Sequence, residues 1–115
     1  MRKKNYKGRC EKINISKCPN ICRTYNPIQY EYAKKLDEDN NIQEIRCNVL
    51  LDNLPYGEYT SDFVCVKADG NLMVRECIYR KYLTKPMTVK LLDASCEYWL
   101  NHGVSDWGLV IDAEK

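Results

Sequence analysis

The tripeptide Ala68-Asp69-Gly70 constrains this chain more than any other feature, because it sits between two runs of strand-forming residues. Tyr59 to about Lys67 and about Asn71 to Tyr79 both read as strands. A three-residue loop with glycine at the position that wants positive φ joins them as a hairpin. Loop length sets the register: Lys67 faces Asn71, and counting back places Asp62 directly opposite Glu76. Opposed side chains leave the sheet on one face, with Cβ atoms about 4.5–5.5 Å apart. Two like charges so placed destabilise a sheet unless something neutralises them. A divalent cation does so, and a carboxylate pair with open positions suits Mg²⁺ or Mn²⁺, whose other ligands are water and phosphate oxygens. A basic partner for Glu76, or a register one residue off, would account for the same acids structurally.

The flanking segments read as two helices and two more strands. Asn26 is a good N-cap and Pro27 suits the first helical position, so a helix is expected from Pro27 to about Glu38. Its apolar stripe is Ile28, Tyr32, Ala33 and Leu36. Gln29 shares that inner face, whereas Glu31 lies outward with Lys34 and Lys35. From Ile42 to Leu51, the residues Ile45, Cys47, Val49 and Leu51 alternate against Glu44, Arg46 and Asn48, the pattern of a strand with one buried face. Asp52 to Gly57 is turn chemistry. Pro86 opens a second helix reaching about His102, with Leu91, Leu92, Ser95, Tyr98 and Trp99 inward and Gly103 as its C′ residue. Asp106 to Ile111 is the last strand. The order α-β-β-β-α-β predicts an α/β class with a mixed central sheet flanked by helices.

Charge divides the chain in two. Residues 1–24 hold eight basic residues and one acid, Glu11; the remaining residues hold ten basic and fifteen acidic ones. The division is a basic N-terminal arm (1–24) on an acidic α/β domain (25–115), and such an arm suits a polyanionic partner or simply a solvated terminus. A second basic run, Arg75, Arg80, Lys81, Lys85 and Lys90, surrounds Glu76 in sequence and suits phosphate contacts. No stretch approaches the roughly 18 apolar residues of a membrane span, so no membrane partner is expected. No apolar segment follows the basic start, so no signal peptide is expected either.

Seven cysteines, an odd number, point to reduced thiols and a cytoplasmic setting. Cys47, Cys65 and Cys77 lie in strand-like runs as small hydrophobes. Cys10, Cys18 and Cys22 lie in the arm; with one more ligand they would make a zinc site, or else they pack the arm onto the body as free thiols. The single histidine, His102, falls at a helix C-terminus, which argues against Ser-His-Asp or Cys-His catalysis. No G-x-x-x-x-G-K-[ST] or G-x-G-x-x-G run occurs, which excludes nucleotide binding by those loops.

An α-β-β-β-α-β core with Asp on one strand and Glu on the next resembles the PD-(D/E)xK, or restriction-endonuclease-like, nuclease fold. More narrowly it resembles the N-terminal catalytic domain of the TnsA-type transposon endonucleases. The stretches that carry the likeness are residues 26–39, Tyr59-Thr-Ser-Asp-Phe63, Val74-Arg-Glu76 and residues 85–112. The resemblance implies Asp62 and Glu76 as ligands of Mg²⁺ or Mn²⁺ in a DNA endonuclease, with double-stranded DNA and other transposition proteins as partners. It puts Gln29 in the inward slot that a Glu of the first helix usually fills. It puts Ile78 where the motif's Lys should be, leaving Arg80, on the same strand face as Glu76, or Lys81 as a stand-in near the scissile phosphate. Two alternatives stand beside this reading, the first favoured by those departures and the second by nine tyrosines and two tryptophans. One is a catalytically degenerate nuclease-fold module that binds DNA or a transposition or phage partner; the other is a small structural protein of a mobile element.

Overall fold

The computed structural model describes residues 11–19, 21–51, 54 and 59–112. Their elements, in chain order, are strands β1 (Glu11–Ile13) and β2 (Cys22–Thr24), helix α1 (Pro27–Glu38), strands β3 (Ile42–Leu51), β4 (Tyr59–Lys67) and β5 (Leu72–Ile78), a 3₁₀ turn at Arg80–Tyr82, helix α2 (Pro86–Asn101) and strand β6 (Asp106–Ile111). The expected helix–strand order from residue 27 onward is present. β3, β4, β5 and β6 form one mixed sheet in that spatial order, antiparallel except for the parallel β5–β6 pair. A parallel pair needs a crossover, and α2 supplies it.

Local chemistry explains the helix ends. The Asn26 side chain accepts from Gln29 N–H at 2.9 Å, and Pro27 occupies the first turn, where its missing N–H costs nothing. Gly103 follows α2 with φ +83°, and its N–H reaches the Leu100 carbonyl at 3.0 Å. In the β4–β5 loop Gly70 has φ +89°, and Lys67 N–H donates to the Asn71 carbonyl at 2.8 Å. The paired residues Phe63–Arg75, Val64–Val74 and Cys65–Met73 match the register deduced from loop length.

The helices cover opposite faces of the sheet. Ala33 and Leu36 of α1 pack with Ile45, Phe63, Cys65, Met73 and Cys77. On the other face, Leu91 and Trp99 of α2 pack with Val64, Val74 and Tyr59. Burial of such side chains stabilises by about 1.5–3 kcal/mol each. Among the described residues of the N-terminal segment, β1 and β2 pair antiparallel, and Ile15 and Cys22 lie in the α1-side core.

One expectation fails in β3. Ile45, Cys47, Val49 and Leu51 do not share a face: Ile45 and Cys47 pack on the α1 side, Val49 and Leu51 on the α2 side. Asn48, between them, has φ +55°. A left-handed residue in a strand rotates everything beyond it, so the two-residue alternation changes phase there.

Candidate functional site

The phase change in β3 has a counterpart in β4. Cys47 pairs with Phe63 and Val49 with Ser61, so Asn48 stands across from Asp62. Ser61 turns toward α2, where its Oγ accepts from Trp99 Nε1 at 2.9 Å. Asp62 reaches the α1 side instead: Gln29 Nε2 donates to Asp62 Oδ1 at 2.8 Å. The β4–β5 ladder also ends here, after Phe63–Arg75. Continued at the same register, it would aim Cys77 N–H at the Ser61 carbonyl. Asp62 Oδ2 accepts that N–H at 2.6 Å, and Asp62 N–H donates to Glu76 Oε1 at 3.0 Å. The two carboxylates thus fill the gap where the strands part and take up backbone donors.

Asp62 and Glu76 are each 1% exposed. Glu76 Oε2 accepts from Ser95 Oγ of α2 at 2.7 Å, and the same hydroxyl accepts from Trp107 Nε1 at 3.1 Å. Gln29 is held from behind, its Oε1 accepting from Tyr25 N–H at 2.6 Å. Four elements therefore converge: α1 with Gln29, β4 with Asp62, β5 with Glu76 and α2 with Ser95. Burying ionisable groups is costly unless they are well hydrogen-bonded, and all four carboxylate oxygens accept a hydrogen bond here.

The structure brings Asp62, Glu76 and Gln29 together, and leaves Glu31 exposed on the outer face of α1. It does not bring Arg80 or Lys81 to them in the expected way. β5 stops at Ile78, and Arg80 opens the 3₁₀ turn rather than extending the strand face of Glu76. Its N–H and guanidinium turn to Asp112, at 2.6 Å and 3.3 Å. That backbone donor holds the Asp112 carboxyl below its ordinary range. Lys81 is exposed, its Nζ lying 5.8 Å from the Tyr79 ring and 5.2 Å from the Tyr82 ring; Lys85 Nζ lies 4.9 Å from the Tyr82 ring. Lys90 is exposed on α2. Arg75 is tied into the fold, donating to Asp106 Oδ1 at 2.8 Å and to the Asp106 carbonyl at 3.1 Å. Ile78, where the resemblance implies a lysine, is 4% exposed.

Of the three arm cysteines, Cys10 lies outside the described residues. Cys18 and Cys22 meet Cys47 of β3 instead, packed together on the α1-side core. Among the described residues no three His, Cys, Asp or Glu side chains are arranged to hold a metal ion, so Cys18 and Cys22 have no complete zinc ligand set there.

Two participants carry a signal in the sequence. Ser95 is a small polar residue in an otherwise apolar helix stripe, the pattern of a buried hydrogen-bonding partner. Asn48 is a turn-preferring residue inside a strand, facing an acid. No described helix is long and apolar enough to cross a membrane. In sequence, the chain matches no protein-family model and none of the curated proteins.

Proposed function

We propose that this α/β chain is a DNA-acting protein with a restriction-endonuclease-like core, and that Asp62 and Glu76 are the cation-binding pair of a TnsA-like, metal-dependent endonuclease. The observation that carries the reading is the meeting of Asp62, Glu76 and Gln29 from three separate elements, with Gln29 Nε2 2.8 Å from Asp62 Oδ1. The first helix of the resembled fold supplies a side chain at this place.

Two carboxylates are hard oxygen ligands of the kind Mg²⁺ or Mn²⁺ takes. Asp62 and Glu76 would supply carboxylate oxygens from neighbouring strands in place of the chain donors those oxygens now accept from, Gln29 Nε2 and Ser95 Oγ among them, and water and phosphate oxygens would complete such a shell. A bound ion of this kind lowers the pKa of a water and stabilises charge developing on a phosphodiester. The chain's own part is positional. Gln29 orients Asp62, and Ser95 fixes Glu76. The exposed Arg80, Lys81, Lys85 and Lys90 form a basic run after β5 for the DNA backbone. Double-stranded DNA is then the substrate, other transposition proteins are the partners, and the cytoplasm is the setting.

A second reading keeps the fold and drops the chemistry. Ile78 is buried where the motif's lysine belongs, and each oxygen of the acid pair already accepts a hydrogen bond from the chain. On this reading the module binds DNA or a protein partner without cutting.

Incubation with supercoiled plasmid in Mg²⁺ or Mn²⁺ separates the two. Nicking by the wild type that is lost in Asp62→Asn and Glu76→Gln supports the endonuclease. Salt-sensitive binding without nicking, unchanged by a chelator, selects the binding module. Neither nicking nor binding at low salt overturns both.

A further inference from the structure

Three thiols outside the acid site meet where the β1–β2 segment lies on β3. Two hydrogen bonds bracket this place: Ile45 N–H donates to the Lys17 carbonyl at 3.0 Å, and Asn48 Nδ2 donates to the Arg23 carbonyl at 2.9 Å. Lys17 adjoins Cys18, Arg23 adjoins Cys22, and Cys47 lies between Ile45 and Asn48. The three side chains accordingly pack together, Cys22 within the α1-side core and Cys18 and Cys47 against it. All three are free. They differ in access. Cys22 is fully buried, whereas Cys18 and Cys47 are half-buried and line an open cleft of about 410 Å³ with Pro19, Ile21, Arg46 and Val49.

We propose that this cluster is an oxidation site, in which Cys18 receives a peroxide in the cleft and relays the oxidation to a buried Cys22–Cys47 disulfide that ties β2 to β3. The inference goes beyond the reading of the acid pair and does not depend on it. The Cys18 thiolate attacks one oxygen of hydrogen peroxide; the O–O bond breaks, hydroxide leaves, and Cys18 becomes a sulfenic acid. The Cys47 sulfur then attacks the Cys18 sulfur. An S–S bond forms as the S–O bond breaks, and the departing hydroxide takes the Cys47 proton to give water. The Cys22 thiolate next attacks the Cys47 sulfur, forming Cys22–Cys47 and releasing Cys18 as a thiolate. The peroxide gains two electrons and the Cys22–Cys47 pair loses two. Cys22 is fully buried in the core against which Cys47 packs, so its sulfur meets the Cys47 sulfur rather than the peroxide, whereas Cys18 and Cys47 open onto the cleft.

The test uses the reduced, folded full-length chain. It is treated with hydrogen peroxide, quenched by alkylation at intervals and digested with trypsin without reductant. Cys18 and Cys22 share the peptide Cys18–Arg23, and Cys47 lies in Cys47–Lys67 with Cys65. The expected product joins these peptides through Cys47, with Cys65 alkylated, and reverts under dithiothreitol. In Cys18→Ser the same link forms about tenfold or more slowly. In Cys22→Ser it stops at Cys18–Cys47, and in Cys47→Ser no link joins the peptides. Circular dichroism checks that each variant is folded, and the wild-type time course stands without them. Linkage mainly through Cys65, Cys77 or Cys96, a Cys18–Cys22 link alone, or equal rates in folded and denatured chain would overturn the proposal.

Discussion

Gln29 of α1 and Asp62 of β4 are 33 residues apart in sequence and share a buried hydrogen bond of 2.8 Å. The bond exists because β4 changes phase at Asp62, which carries an even-numbered side chain to the face occupied by its odd-numbered neighbours Phe63 and Cys65. It ties the first helix to the place where the β4–β5 ladder ends.

That bond should weigh on stability. Gln29→Leu keeps the volume but removes a donor from Asp62 and an acceptor from Tyr25 N–H. Each buried polar group so deprived costs about 1–3 kcal/mol, so a total loss of about 2–4 kcal/mol is expected in urea unfolding. A loss within about 0.5 kcal/mol, the range of ordinary surface changes, would show that the contact is incidental.

Gln29→Glu tests the cation reading directly. It sets a third carboxylate against Asp62, which destabilises the fold by like-charge repulsion in the presence of a chelator. If the pair binds Mg²⁺, millimolar Mg²⁺ should raise the melting temperature of this variant more than that of the wild type, by ligand linkage. Equal response in both would count against a cation at this position.

Asn48 should tolerate glycine and reject valine. At φ +55° a β-branched side chain carries strain of about 1–3 kcal/mol, whereas glycine carries none. Asn48→Gly forfeits the bond to the Arg23 carbonyl, which is exposed, so its cost should stay within about 1 kcal/mol. Denaturant midpoints of the two variants decide the order.

Asp106 should make acid stability pH-dependent. Its carboxyl accepts from Lys67 Nζ and Arg75 Nη2, each at 2.8 Å, and these bonds hold it below the ordinary carboxylate range. A lowered folded pKa contributes stability above the unfolded value and loses it as pH falls through the folded one. Lys67 is raised by the same pair, so its share is present below the unfolded lysine value and disappears as pH rises through the folded one. The melting-temperature gap between wild type and Asp106→Asn should therefore be widest near neutrality and shrink in strong acid and strong alkali. A gap that is flat with pH would show that packing, not charge, fixes Asp106.

Much was legible without coordinates because it depends on short-range chemistry. Asn26-Pro27 and Pro86 opened helices, Gly70 and Gly103 took positive φ, and loop length alone set the β4–β5 register. Gln29 could be placed inward from helical spacing. The end of β5 is less legible: the residue pattern predicts a strand to Tyr79 and a strand face for Arg80, which the 3₁₀ turn removes.

What the sequence by itself determined is the order of elements, the β4–β5 register as far as Phe63–Arg75, and the inward side of α1. Each follows from backbone preferences and spacing within a few residues. The side chains expected on one face part, Asp62 going to Gln29 of α1 and Glu76 to Ser95 of α2. Tertiary structure alone decided where the strand alternation reverses, that Ser95 reaches Glu76, and that Cys18, Cys22 and Cys47 converge. Those outcomes turn on how a left-handed Asn48 rotates one strand against two helices and a hairpin, a balance of packing between segments far apart in the chain that no local pattern encodes.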